Sequence, residues 1–252
     1  MKSDFCKDRL QVHIYETREQ MGVAAALDIE RAIVSVLEKK ACCNMIFAAA
    51  PSQNEVLASL IVSDKVDWSR VHAFHMDEYI GLPEDAPQGF ANFLRNALFN
   101  RVPFGSVNCM DSTAEPEQEA LRYTKLLADN PTDIVVMGVG ENGHIAFNDP
   151  HVALFDDPVR VKSVELDNTC RMQQVHDGCF TRIEDVPKLA LTLTIPALFS
   201  AQQVFCIVPA KTKAHAVKTM LEGPVSEACP ASVIRRHSAA VLYLDKDSAS
   251  DL

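Results

Sequence analysis

None of the chain's eight cysteines form a C-x-x-C pair, and no histidines cluster at zinc-finger spacing, so nothing reads as a zinc module. No apolar run approaches the roughly 20 residues that cross a bilayer. The first 20 residues are polar and charged, without the apolar stretch of a secretory leader. Basic residues are in deficit, 24 Lys and Arg against 34 Asp and Glu, which leaves a net charge of −10. A field of that sign repels a nucleic-acid backbone and an anionic membrane surface, and argues against both as partners. A small anionic substrate is still allowed, because a few amides or lysines reverse the field locally. Internal repeats, low-complexity tracts and long Gly/Ser linkers are also missing. The expectation is one domain over residues 1–252, in the cytoplasm, with thiols reduced and packed as small hydrophobes and with no metal.

What the sequence does have is alternation. Leu10–Tyr15 predicts a strand, and Thr17-Arg-Glu-Gln20 a capping box opening a helix to about Lys40. Met45–Ala50 predicts a buried strand ending at Pro51, and Ser52-Gln-Asn-Glu55 a second capping box. Val71–Glu78 predicts a further strand, followed by helices near Gly89–Asn100 and Pro116–Asn130. Asp133–Val139 is a continuous apolar run, the mark of a parallel strand buried on both faces. Val161–Leu166, Leu189–Ile195, Gln203–Val208 and Ala239–Asp245 predict strands, and Lys211–Glu222 a helix stopped by Gly223-Pro224. This order predicts an α/β fold: one doubly wound, mostly parallel sheet with helices on both faces. Ligands in such sheets bind beyond the carboxyl ends of the strands.

Four segments at strand ends carry unusual polarity. In Phe74-His-Met-Asp-Glu-Tyr79, alternation along an extended chain puts His75 and Asp77 on one face and Glu78 on the other. Asp77 is then a candidate base, and its bland alternative is a turn cap. In Gly138-Val-Gly140-Glu-Asn142-Gly143-His144-Ile-Ala-Phe-Asn148-Asp149, Gly140 and Gly143 let backbone approach a ligand. His144 with Asp149 makes a candidate imidazole–carboxylate pair, and Asn142 joins the polar set; a hydrogen-bonded turn is the plain alternative. Ser52 lies at a helix start, where free N–H groups favour an anion. Lys213 opens another helix, where a cation suits a ligand better than the helix dipole. Together the four segments suit a phosphorylated small molecule.

These residues resemble the glucosamine-6-phosphate deaminase/isomerase family, whose superfamily includes the 6-phosphogluconolactonases. The likeness is carried by Asp77-Glu-Tyr-Ile-Gly-Leu-Pro83, Gly143-His-Ile-Ala-Phe-Asn148 and Val186-Pro-Lys-Leu-Ala-Leu-Thr192, and runs over nearly the whole chain. The resemblance implies a Rossmann-like fold and aldose–ketose isomerisation of an amino-sugar phosphate with loss of ammonia, without metal or organic cofactor. A homo-oligomer is compatible with it. It implies that His144, assisted by acidic neighbours including Asp149, opens the sugar ring and that Asp77 moves the C2 proton to C1. It also implies that Lys213 binds phosphate and that Arg171 lies in the substrate-binding region. Two positions and one loop depart from the family pattern. Asn142 stands where an Asp is usual, Asp149 where Glu is usual, and Ala50-Pro-Ser-Gln-Asn-Glu55 replaces a Gly-Gly phosphate loop. Glu55 is expected to oppose a bound phosphate. The alternatives are a lactonase using His144 as base on water, and a non-catalytic sugar-phosphate-binding regulator.

Overall fold

The computed structural model describes residues 3–252. Eight strands form one sheet: β1 (Ser3–Lys7), β2 (Leu10–Tyr15), β3 (Cys43–Phe47), β4 (Val71–His75), β6 (Ser106–Asn108), β7 (Ile134–Met137), β10 (Gln203–Val208) and β11 (Ala240–Asp245). Their spatial order is β1-β2-β11-β10-β7-β3-β4-β6, and every pairing is parallel except the β1–β2 hairpin. The doubly wound α/β expectation therefore holds. Strands β3 and β7 are buried along their full length, because helices cover both faces. Alternate residues divide between the two cores. Ile134 and Val136 pack with α1 (Arg18–Leu37) and α2 (Asn54–Ile61); Val135 and Met137 pack on the side of α4 (Pro116–Asp129), α6 (Ile195–Phe199) and α7 (Ala214–Glu222).

Val161–Leu166 and Leu189–Ile195, expected in the parallel sheet, instead belong to a second one. There β8 (Val161–Glu165), β9 (Leu189–Leu193) and β5 (Asp77–Tyr79) pair antiparallel in the order β5-β9-β8. The run expected as one strand over Val71–Glu78 is thus two. The chain leaves the large sheet at His75, turns at Met76 and enters the small sheet at Asp77. Apart from the half-buried His72, both halves are buried, so periodicity alone cannot tell which sheet receives them.

Helix α1 starts as expected, with the Thr17 hydroxyl accepting from Gln20 N. The second capping box does not form. Residues Pro51–Gln53 make a 3₁₀ turn with Pro51 at its first position, and α2 begins at Asn54. Gly22 lets α1 lie against α2, since a Cβ there would stand 2.4 Å from Glu55 Cβ. That contact brings Arg18 to Glu55, with Nε 2.7 Å from Oε1, and its guanidinium also donates to Pro51 O. The negative charge expected to oppose phosphate is neutralised by this pair. No helix among the described residues is long and apolar enough to cross a membrane.

Candidate active site

The loops after β3, β4 and β7 and the turn that opens α7 meet above the carboxyl ends of the strands, around a small cavity. Ser52, Asp77, Gly138, Gly140, His144 and Lys213 line it. Phe90 and Phe147 supply an apolar wall, their rings stacked with centroids 5.4 Å apart.

Asp77 opens β5 and is almost wholly buried. Burial first, and the neighbouring Glu78 charge second, push its carboxyl well above the usual carboxylate range. Glu78 points elsewhere, as alternation requires. Its carboxylate accepts from Tyr79 N, Phe90 N and Ala91 N at 2.8–3.0 Å, capping α3 (Phe90–Leu94). His75 does not share the cavity with Asp77, because the turn at Met76 breaks the alternation. Its Nε2 accepts from Met110 N at 2.7 Å, and burial holds the ring neutral with a pKa near 3.

The His144 ring lies flat against Gly140. A Cβ at Gly140 would stand 2.1–2.4 Å from three ring atoms, so only glycine admits the ring there. Nδ1 sits 2.8 Å from Asn142 Oδ1 and 3.1 Å from Asp149 Oδ1, two acceptors, so Nδ1 carries the proton. Nε2 then borders the cavity as the exchangeable position. Asn142 replaces the usual acid by using its whole amide. Oδ1 accepts from His144 N and Nδ1, while Nδ2 donates to Asp149 Oδ1 at 2.9 Å and Asp167 Oδ2 at 3.0 Å. Burial works against charge on Asp149, but the His144 and Asn142 bonds outweigh it and hold the carboxyl below its ordinary value. The shorter Asp149 side chain reaches its histidine. Gly143 adopts φ +84°, which lets the turn close against Cys229.

Lys213 is buried and its Nζ has no hydrogen-bond partner. Desolvation pushes its pKa down, against the pull of the Asp177 and Glu141 charges. Arg171 is not brought to the cavity. On α5 (Asn168–His176), its guanidinium donates to Ile183 O at 2.6 Å and Val186 O at 3.0 Å. That clamp fixes α5, which presents Gln173 and Gln174 to the cavity. Sequence reasoning missed both glutamines, and no motif marks them. His144, Asp149 and Cys170 also place one ligand atom each within 4.8 Å of one another, a cluster built on the same hydrogen-bonded pair.

The family model described as glucosamine-6-phosphate isomerases/6-phosphogluconolactonase matches residues 16–243. The chain belongs to this family. It is 37% identical over 188 residues to a glucosamine-6-phosphate deaminase of Bacillus thuringiensis, covering 74% of this chain and 70% of that one. A relative of the same name in Bacillus anthracis matches equally. Among solved structures, a monomeric glucosamine-6-phosphate deaminase superposes with a TM-score of 0.87 at 28% identity, over 96% of this chain and 99% of that one. The 6-phosphogluconolactonase of Thermotoga maritima superposes with a TM-score of 0.78 at 20% identity, over 94% and 100%, a likeness of fold. Both solved proteins thus share this chain's scaffold.

Proposed function

We propose that this chain converts glucosamine 6-phosphate, or a close amino-sugar phosphate, to fructose 6-phosphate and ammonia. The observation that carries the reading is that the high-pKa carboxyl of Asp77 and the His144–Asp149 pair border one cavity that also holds an unpartnered ammonium. In this reading His144 Nε2 takes the proton of the sugar O1 hydroxyl and returns it to the ring oxygen, opening the ring. Asp149 and Asn142 keep the imidazole oriented throughout. Asp77 then removes the C2 proton, and the electron pair forms the C1–C2 double bond of an enolamine as the C1 carbonyl π bond opens onto O1, which takes a proton from the substrate's own C2 ammonium; the same carboxyl returns its proton to C1 as the nitrogen lone pair closes the C2 imine. The resulting C2 imine takes up water and releases ammonia, so one water is consumed overall. A raised pKa suits Asp77, because a stronger base abstracts a carbon acid's proton more readily. Lys213 and Ser52 hold the phosphate.

Lactone hydrolysis needs His144 but gives Asp77 no task. Ammonia release from glucosamine 6-phosphate, followed with a coupled assay, tests the reading. The expected result is turnover that falls on the order of 10²–10⁴-fold in Asp77→Asn. Hydrolysis of 6-phosphogluconolactone above the spontaneous rate, with Asp77→Asn unimpaired, would overturn it.

A further inference from the structure

We propose that Gln53 is a positioning residue whose buried amide turns the Ser52 hydroxyl into a hydrogen-bond donor for the substrate's phosphate, an inference that rests on the sugar-phosphate reading above. Gln53 is wholly buried and lies outside the cavity lining, whereas Ser52 is part of that lining. The Gln53 Nε2 donates to Ser52 Oγ at 3.1 Å and to Ile207 O at 3.3 Å. A backbone carbonyl only accepts, so the group facing Ile207 is the NH₂, which settles the orientation of the amide. One hydrogen goes to each partner. Ser52 Oγ therefore receives a hydrogen from within the protein, and its own O–H must find an acceptor elsewhere.

None exists among the described residues: Ser52 Oγ appears only as an acceptor. Of the fully buried side-chain atoms without a partner, the one on a residue lining the same cavity is Lys213 Nζ, another donor. Two donors without an acceptor, one of them cationic and buried, match the oxygens of a phosphate dianion. The surroundings make room for this arrangement. A Cβ on Gly138 would stand 3.1 Å from Gln53 Nε2 and 3.4 Å from Ser52 Oγ, so glycine there leaves space for the amide. Arg18 holds the turn by donating to Pro51 O and removes the Glu55 charge from the phosphate's surroundings. Gln53 also carries an Oε1 that is buried without a partner. An apolar side chain of the same length would avoid that penalty, so packing alone does not account for an amide at this position. In this chain a side-chain brace thus stands in for the glycine-rich phosphate loop that the family resemblance leads one to expect.

The test is the affinity for inorganic phosphate and for glucosamine 6-phosphate, measured by calorimetry on wild type, Ser52→Ala, Gln53→Met, Gln53→Glu and the Ser52→Ala/Gln53→Met double variant. Each of Ser52→Ala and Gln53→Met is expected to weaken phosphate about five- to tenfold, and the double variant no more than Ser52→Ala, because Gln53 acts through Ser52. With turnover, KM rises while kcat holds. Gln53→Glu accepts the Ser52 hydrogen and adds a charge, so it is expected to weaken phosphate further, and more at pH 8 than at pH 6. Unchanged phosphate affinity in Ser52→Ala or in either folded Gln53 variant would overturn the proposal. So would a double variant whose loss is the product of the two single losses. Phosphate binding is read without turnover, so failure to release ammonia would defeat the deaminase reading while leaving this measurement intact.

Discussion

Asn142 shows how one atom type can substitute for another at a site of fixed shape. The family resemblance implies an acid there, yet Asn142 faces two carboxylates, Asp149 and Asp167, and donates to both. Asn142→Asp would turn those two donors into acceptors and gather three acids. We expect a loss of about 2–4 kcal/mol in stability at pH 8, relieved as pH falls toward 5, measured by denaturant melts. Asp77 makes the opposite prediction. Its pKa is raised in the folded protein, so the stability it contributes is present at low pH and is lost as pH rises through the folded value. Asp77→Asn, which removes the proposed base, is therefore expected to melt at a higher temperature than wild type at pH 8, with the gap closing toward pH 4. The acid limb of kcat/KM is expected above the usual carboxylate range for the same reason. These roles were partly legible. Asp77, His144 and Asp149 follow from polarity at strand ends, and Glu78 was separable from Asp77 by alternation. The link to Asp167 was not legible, because 25 residues of chain separate Asn142 from it.

Elements decide how those residues meet. Thr192 of β9 pairs with Asp77 across the small sheet, and its hydroxyl accepts from Phe147 N at 3.1 Å. Asp77 and the His144 loop are thus both referred to one strand. Thr192→Val keeps the ladder and the volume but leaves Phe147 N without its acceptor. The expected outcome is a roughly tenfold lower kcat with little change in KM, since the His144 loop shifts against Asp77 while the phosphate ligands stay in place. Arg171→Ala removes the clamp on Ile183 and Val186, and is expected to raise proteolytic cleavage within 168–186. The sequence located most helices and strands of the large sheet, where buried runs and caps are strong signals. It merged β4 with β5 and put β8 and β9 in the wrong sheet, because a local apolar pattern carries no record of the partner strand. It placed Arg171 near substrate, but its guanidinium binds the carbonyls of a neighbouring turn instead.

The molecule as a whole carries a charge of −10, and the proposed substrate bears a phosphate dianion. Attraction is therefore local, and it centres on Lys213. Its folded pKa is lowered by burial, so the protein without ligand holds a charge its surroundings disfavour, and stability falls as pH drops through that value. Lys213→Met is expected to melt higher than wild type without ligand and to lose the shift that phosphate induces. Wild type saturated at 100 times Kd is expected to gain about 2.7 kcal/mol. An unmatched buried ammonium thus makes the empty protein the weaker form and the anion-filled one the sturdier, so resistance to heat and to proteases is expected to follow how much of the protein is occupied.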